Sequence, residues 1–239
     1  MLFDPLPRAI LLDVGFTLAF CDGPAIASHA ARAGVIVDPL AIENAEGALR
    51  AELRETLGTV HRTHDDGGSR YLGRFFRRTL ELAGHTGSSD SLERAVEIVL
   101  GEHLRRNVWC RVGAGVSTSL QRLRSAGCRL AVVSNSEGTV ETMLETVGLR
   151  PLLEAVVDSA VVGLVKPDPR IFQLAFDRLK IAPSQAVMVG DSPSADVVGA
   201  RAAGARAALL DPFDLYPSVD APRFRDLAAF TDALLGTDR

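Results

Sequence analysis

The second half of the chain alternates between short apolar runs and amphipathic helical patterns, and this alternation is the feature that most constrains the fold. Strands are predicted at residues 128–134, 155–157, 186–189 and 205–210. Helices are predicted at residues 116–125, 137–147, 169–179, 194–203 and 223–235. Strands separated by helices of this length pair in parallel, with helices over both faces of the sheet. We therefore expect an α/β fold, a doubly wound parallel sheet of the Rossmann-like type.

The first half of the chain has a different character. One apolar run, residues 8–14 (RAILLDV), reads as a buried strand. From residue 22 to 106, Ala, Leu, Glu and Arg dominate, and helices are predicted at 24–33, 39–57, 69–83 and 89–105. The first strand has no partner nearby in sequence, so it most simply joins the later sheet. This predicts a core of residues 1–20 and 107–239 with a helical insertion at 21–106.

Composition excludes several classes of protein. The 239 residues are 47% hydrophobic and 23% charged with a net charge of −4, which is ordinary for a globular protein with a substantial core. The acidic balance argues against a nucleic-acid surface. No uncharged apolar run approaches the ~18 residues that a membrane span requires, and the first ten residues lack a signal-peptide pattern. Three widely spaced cysteines fit a reducing compartment, so we expect a cytoplasmic protein; its oligomeric state stays open.

Polar side chains follow the predicted strands at the points where they end. Functional groups of open parallel sheets gather beyond these carboxyl ends. The candidates are Asp13, Ser134, Asn135, Asp191 and Asp196, together with Lys166 in a loop between a glycine and two prolines. Three converging carboxylates repel one another unless a cation lies among them, and Mg²⁺ prefers such hard oxygen ligands. The hydroxyl, amide and ammonium groups would hold a phosphoryl group, which an aspartate can attack directly.

Each candidate also has an ordinary structural explanation. Asp13 can simply end a strand, Lys166 can be a solvated loop charge, and Ser194 and Asp196 can serve a helix N-terminus. The ordinary explanation is less convincing for Lys166, because only two of the 26 basic residues are lysines. A lysine in a chain that otherwise uses arginine favours a compact point charge there.

Four motifs in order resemble those of the haloacid dehalogenase (HAD) superfamily, in the branch with a helical cap inserted after the first strand. The family's first motif, aspartate-x-aspartate-x-threonine, is similar to residues 13–17 (DVGFT). Its second motif, an apolar strand that ends in Ser or Thr, is similar to the segment LAVVS, which ends at Ser134. Its lysine before a Pro-Asp-Pro segment is matched by Lys166, and its GDSxxxD by residues 190–196. The resemblance spans about residues 8–210, while the insertion matches in helical texture only.

This resemblance implies roles for the candidates. Asp13 would be the nucleophile and a metal ligand, and Asp191 a direct Mg²⁺ ligand, with Asp196 supporting the site. Ser134 and Lys166 would bind phosphate with help from Asn135, and the main-chain carbonyl of residue 15 would also ligate the metal. The substrate would be a small phosphorylated metabolite, with no nucleic-acid or membrane partner. The cap would open for substrate and close over it.

Gly15 departs from the family pattern, because the phosphatases carry an aspartate there. That aspartate protonates the leaving oxygen and later activates water, help that is typically worth ~10²–10⁴-fold. Three alternatives follow from its absence. The chain is a phosphatase with restricted turnover, a binding or regulatory protein that kept the site, or a dehalogenase, whose relatives also lack this aspartate but work without metal.

Two further ideas concern the insertion. A phosphonate-cleaving reaction needs a cap lysine, and none occurs between residues 22 and 106. A cap histidine, in contrast, is a possible substitute for the missing acid, since all five histidines, at positions 29, 61, 64, 85 and 103, lie in the insertion. His61 and His64 form the most notable group. Its ordinary explanation is a solvated loop.

Overall fold

The computed structural model describes residues 2–57 and 69–236. The chain forms two compact units, Met1–Ala19 with Val112–Arg239, and Phe20–Arg111. The boundaries predicted at 20/21 and 106/107 are close to these divisions. Within the described ranges, every helix is too short or too polar to span a lipid bilayer.

The first unit is built on a six-stranded parallel sheet. Its strands are β1 (Ala9–Leu12), β4 (Arg129–Ser134), β5 (Ala155–Asp158), β6 (Ala186–Gly190), β7 (Arg206–Leu210) and β8 (Arg223–Phe224), in the spatial order β5-β4-β1-β6-β7-β8. Flanking helices are α5 (Val116–Ser125), α6 (Val140–Thr146), α7 (Ser159–Val162), α8 (Pro169–Leu179), α9 (Gly199–Ala202) and α10 (Leu227–Leu235). The predicted α/β class with a parallel sheet is confirmed.

Strand β1 lies in the middle of this sheet. It pairs with β4 on one side and β6 on the other, as expected for a first strand without partners nearby in sequence. All four of its residues are fully buried, which explains why the run is continuously apolar rather than alternating. The carboxyl ends of β4, β1 and β6 are consequently neighbours, and they bring three distant chain segments to one edge.

Three predicted helices in this unit require correction. Residues 223–224 form the edge strand β8, and the helix begins only at Leu227, because Asp226 is extended and its carboxylate accepts from Ala229 N at 2.9 Å. The helix predicted at 194–203 is a π-helix over Pro193–Val198 followed by α9. The helix predicted from residue 137 begins at Val140, after Gly138 with its φ of +88°.

The second unit is helical. It contains α1 (Gly23–Ala31), α2 (Pro39–Leu57), α3 (Ser69–Leu82) and α4 (Ser89–Arg106). Pro24 lies in the first turn of α1 and Pro39 begins α2, where the missing amide hydrogen is tolerated. An aromatic group of Phe75, Phe76 and Trp109 fills part of its core, with His103 packed edge-on against two of these rings. Two short strands, β2 (Ala19–Phe20) and β3 (Arg111–Val112), pair where the chain passes between the units.

Candidate active site

A turn directly after β1 presents the first candidate residue. Asp13 continues the sheet, since its main-chain N–H donates to Val189 O at 3.0 Å. The chain then reverses over residues 14–19, with the main-chain N–H groups of three successive residues donating to Val14 O. Phe16 adopts a left-handed conformation in this turn, with φ of +55°. The turn leaves Asp13 at the edge of the sheet with a side chain that is 12% exposed.

Three buried carboxylates meet at this edge. Asp13, Asp191 and Asp196 each offer one oxygen, and these three oxygens lie within 4.8 Å of one another. Asp191 directly follows β6, and Asp196 is the fourth residue of the π-helix. The structure thus brings together the three aspartates that the strand-end argument selected.

Lys166 inserts its ammonium group into this cluster. The side chain is buried, and Nζ lies 2.8 Å from Asp13 Oδ1 and 2.6 Å from Asp196 Oδ1. Burial alone would lower the pKa of Lys166, but the charges of both aspartates outweigh it and raise that pKa above its ordinary value. Burial raises the pKa of Asp196, and the ammonium opposes that rise. Two carboxylates thus contact the one Lys166 ammonium. Lys166 is therefore not a solvated loop charge.

Gly190 allows Asp196 to reach the site. A Cβ on Gly190 would lie 2.3 Å from Asp196 Oδ2, which is far inside van der Waals contact. The same oxygen accepts a hydrogen bond from Ser192 N at 2.9 Å. The cap of the π-helix is instead Ser192, whose hydroxyl accepts from Ala195 N. Ser192 thus supplies the cap, while Asp196 lies in the first turn and bonds Lys166 of the cluster.

Ser134 ends β4, and Asn135 directly follows it. Ser134 is buried at the last position of the strand. The Asn135 amide makes two bonds to the main chain of Lys166: its Oδ1 accepts from Lys166 N at 2.7 Å, and its Nδ2 donates to Lys166 O at 3.0 Å. These contacts give Asn135 a positioning role for the lysine. A direct phosphate contact of Ser134 or Asn135 stays a prediction.

Open space surrounds the α-carbon of Gly15. A Cβ built there meets no heavy atom within 4 Å, so crowding by neighbouring atoms does not require a glycine at this position. Among the cap histidines, His103 is fully buried and its Nδ1 accepts from Val108 N at 3.3 Å, which makes it a packing residue. His61 and His64 lie outside the described residues.

The donor set fits a divalent cation. Three carboxylates and one ammonium leave the cluster with a net formal charge of two minus. Carboxylate oxygens are the ligands that Mg²⁺ prefers, usually one or two of them with waters and substrate phosphate. Asp196 bonds both Lys166 and Ser192 N, and Asp13 bonds Lys166 through Oδ1. Metal contacts of Asp13, Asp191 and the main-chain carbonyl of Gly15 stay a prediction.

The strand-end argument missed one pair of residues. Asp158 and Ser159 end β5, are 4% and 3% exposed, and hydrogen-bond the loop that follows β4. The signal was present, because polar residues follow an apolar run at 155–157. That run was too short to make its end stand out as a strand end.

Comparison with known proteins adds to this geometry. The family model of haloacid dehalogenase-like hydrolases matches residues 8–204. The mouse haloacid dehalogenase-like hydrolase domain-containing protein 3 is 30% identical, with 97% of this chain and 94% of that protein covered. A glyceraldehyde 3-phosphate phosphatase of Methanothermobacter thermautotrophicus is 30% identical, with 85% of each chain covered.

Some matches are shorter. A phosphoserine phosphatase of Thermus thermophilus is 35% identical over 139 residues, 58% of this chain. The chain spans about half the length of such relatives, 53% of the Thermus phosphatase and 42% of the bovine domain-containing protein 3.

A solved structure shares the fold. The putative HAD-hydrolase YfnB of Bacillus subtilis, bound to magnesium, superposes with a TM-score of 0.66 at 22% identity, covering 95% of this chain and 98% of that one. The resemblance drawn from the four motifs is confirmed by the family model and by relatives of nearly full length. The chain belongs to the haloacid dehalogenase-like hydrolases.

Proposed function

We propose that this hydrolase is a Mg²⁺-dependent phosphatase that transfers a phosphoryl group from a small phosphorylated metabolite to Asp13 and then hydrolyses it. The observation that carries the proposal is the contact of Lys166 Nζ with both Asp13 and Asp196, in a cluster that also contains Asp191. A buried ammonium beside a carboxylate nucleophile offers a positive charge to incoming phosphoryl oxygens. Relatives named for glyceraldehyde 3-phosphate and phosphoserine support the substrate class.

Asp13, Asp191 and the carbonyl of Gly15 are the groups that would hold Mg²⁺. When bound, the ion neutralises charge on the phosphoryl oxygens and so lowers the repulsion between the phosphate and the carboxylates. The magnesium in the structure of the Bacillus neighbour supports this assignment. Asp196 keeps Lys166 in place by the 2.6 Å contact to Nζ.

The reaction has two steps on Asp13. A carboxylate oxygen of Asp13 bonds to phosphorus as the bond from phosphorus to the leaving oxygen breaks, which gives an aspartyl-phosphate and the free leaving group. Water then attacks the same phosphorus, the bond to Asp13 breaks, and inorganic phosphate leaves with Asp13 restored as a carboxylate. Lys166, and Ser134 if it contacts phosphate, donate to the phosphoryl oxygens throughout.

Gly15 restricts the leaving group. It has no side chain to protonate a departing alkoxide, so the alkoxide of an alkyl phosphate is a poor leaving group. Aryl and acyl phosphates, whose leaving oxygens are weak bases, do not need this proton. General acid help is typically worth ~10²–10⁴-fold, about 3–5 kcal/mol of barrier, so the restriction is large.

The test is hydrolysis of an aryl phosphate by the purified chain with Mg²⁺ or with a chelator. We expect metal-dependent release of phosphate that is lost in Asp13→Asn. Asp177→Asn is the matched control, because Asp177 is exposed on α8 and its carboxylate accepts a hydrogen bond from the exposed Gln173. Activity that persists in Asp13→Asn, or that ignores the chelator, would remove the proposal.

Gly15 supports a second candidate, a binding or regulatory protein that retained the site. In that case the chain binds inorganic phosphate with Mg²⁺ and releases none from an aryl phosphate. The same assay with a 2-haloacid tests the dehalogenase alternative. Halide release without metal would support that reaction instead.

A further inference from the structure

The loop that follows β4 is held by the end of the neighbouring strand. Ser134 pairs in register with Asp158, so the segment after Ser134 runs beside the segment after Asp158. Asp158 and Ser159 are almost fully buried there. Neither residue belongs to the carboxylate cluster, so their polar groups have another use.

Ser159 satisfies both main-chain groups of Ser136. Ser136 N donates to Ser159 Oγ at 2.9 Å, and the same hydroxyl donates to Ser136 O at 3.0 Å. A single buried hydroxyl thus fixes the position of one residue in the loop. Removing it would leave a main-chain donor and acceptor without these partners, which is costly in a part-buried setting.

Asp158 holds the rest of the loop. Its Oδ1 accepts from Gly138 N at 3.2 Å and from Ala160 N at 3.0 Å, and its Oδ2 accepts from Val140 N at 3.4 Å. One carboxylate therefore ties the turn at residue 138 and the first turn of α6 to the start of α7.

The loop in turn holds the lysine. Asn135 begins it, and its amide bonds both the N–H and the C=O of Lys166 across 31 residues of sequence. The four-carbon side chain of lysine is flexible, so a fixed main chain reduces the number of positions its ammonium can occupy. The contacts form a continuous chain from Ser159 through Ser136 and Asn135 to the ammonium beside Asp13.

We propose that Ser159 and Asp158 are positioning residues, which fix the loop after β4 and, through Asn135, place the Lys166 ammonium against the reacting carboxylate. This inference rests on the proposed function, because it assigns Lys166 a part in phosphoryl transfer. A misplacement of a catalytic group by about 1 Å can cost ~10²-fold in rate. Loss of the loop contacts should therefore lower the rate even though Asp158 and Ser159 do not contact the carboxylate cluster.

The experiment compares Ser159→Ala with Ser184→Ala, a serine exposed on the surface. With an aryl phosphate and Mg²⁺, Ser159→Ala should lower kcat/KM by roughly 10- to 100-fold, whereas Ser184→Ala leaves it unchanged. Asn135→Asp keeps the acceptor for Lys166 N and loses the donor to Lys166 O. Asn135→Asp should also lower kcat/KM, and it replaces Ser159→Ala as the test variant if Ser159→Ala does not fold.

A double-mutant cycle separates positioning from general damage. If both residues act along one chain, Ser159→Ala combined with Asn135→Asp costs about as much as the larger single change, rather than the product of the two. Independent, multiplicative losses, or an unchanged kcat/KM in Ser159→Ala, would overturn the inference. Melting temperatures of all variants identify losses that follow unfolding alone.

Failure of the proposed function gives a different result. In that case the unmodified chain itself turns over no aryl phosphate. Binding of inorganic phosphate in the presence of Mg²⁺ then replaces turnover as the measurement. Weaker phosphate binding in Ser159→Ala than in Ser184→Ala supports the positioning role, and equal binding contradicts it.

Discussion

Gly15 is the residue at which we expect the chemistry of this chain to differ from that of the family's phosphatases. The space around its α-carbon is open and its backbone is not left-handed, so a larger residue fits. Gly15→Asp should raise the hydrolysis of an alkyl phosphate by ~10²–10⁴-fold, because it supplies the missing proton donor. Hydrolysis of an aryl phosphate should change much less. Steady-state rates on both substrates measure the effect.

Gly15→Asn is the control for this substitution. It has the shape of aspartate but cannot give up a proton, so it should not raise the rate on alkyl phosphates. An equal gain in both variants would show that shape matters rather than acid–base help. No gain in Gly15→Asp would show that the absent proton relay does not limit turnover.

Gly190 differs from Gly15, because a methyl group does not fit at Gly190. Gly190→Ala would place a Cβ 2.3 Å from Asp196 Oδ2 and push that carboxylate away from Lys166. We expect kcat/KM to fall by roughly 100-fold, with overpacking that costs about 1–3 kcal/mol of stability. Kinetics and urea unfolding on one preparation measure both effects.

Gly101→Ala provides the matched glycine control. Gly101 is exposed within α4, and a Cβ there meets nothing within 4 Å. This change should leave kcat/KM as it is and stabilise the chain by about 0.5–1 kcal/mol, since alanine favours helix. Loss of activity in both variants would mean that the Gly190 effect is not specific to Asp196.

Most candidate residues could be selected from the sequence because they follow strands, whereas Lys166 was selected because lysine is rare in this chain. Asp13, Ser134 and Asp191 end β1, β4 and β6, and the order of the strands makes them neighbours. The contacts that Lys166 makes, and those that the buried pair Asp158 and Ser159 makes, depend on how loops pack. No local sequence pattern encodes such packing. The same rule also points to Asp211 after β7, yet that buried carboxylate holds its own loop through Leu215 N and Tyr216 N.

At the scale of elements, the sequence predicts the helices and strands whose own residues determine their structure. The helix bounds of α2, α5 and α8 coincide with the predicted ranges, because proline or glycine marks a helix end and the apolar spacing is helical. Strand β8 was missed, since its two residues form a strand only by pairing with β7. The π-helix was missed because a period of 3.6 residues does not distinguish it from an α-helix over six residues.

A buried carboxylate in α2 gives the second unit a dependence on pH. Glu46 Oε1 accepts from Cys21 N at 2.7 Å, and its Oε2 accepts from Arg111 Nη2 at 2.9 Å. Arg111 also donates from Nε to Cys21 O, and Glu43 lies 3.3 Å from the same nitrogen. Burial outweighs these bonds and raises the pKa of Glu46 from its ordinary value of 4.5 to about 6.

The sign of this effect follows from proton binding. Between pH 4.5 and 6 the folded chain binds the Glu46 proton and the unfolded chain does not, so stability falls as pH rises through this window. The shift corresponds to about 2 kcal/mol. Relative to Glu46→Gln, the unmodified chain should lose that amount of unfolding free energy between pH 4 and pH 7.

Urea unfolding at several pH values makes the comparison. Glu97→Gln, an exposed residue of α4, is the control and should follow the unmodified chain. A constant difference between the unmodified chain and Glu46→Gln at all pH values would contradict the assignment. A rise in the unfolding free energy of the unmodified chain relative to Glu46→Gln as pH increases would show the opposite sign.

At the scale of the whole molecule, topology brings the chemistry together. Lys166 and Asp13 are 153 residues apart in sequence and share one hydrogen bond. The position of β1 between β4 and β6 makes this possible. The sequence predicted that β1 joins the sheet but did not predict its place in the strand order.

The missing side chain at residue 15 has a consequence for the whole reaction cycle. Without a group to activate water, breakdown of the aspartyl-phosphate should be slower than its formation from an aryl phosphate. The phosphorylated chain should then accumulate.

Rapid acid quenching of the Mg²⁺-loaded protein with an aryl phosphate tests the central claim most directly. We expect a burst of the aryl alcohol of about one equivalent per chain, with a phosphoryl group found by mass spectrometry on Asp13. The burst should be absent in Asp13→Asn and in the presence of a chelator. A phosphoryl group on another residue, or turnover that continues in Asp13→Asn, would contradict the account.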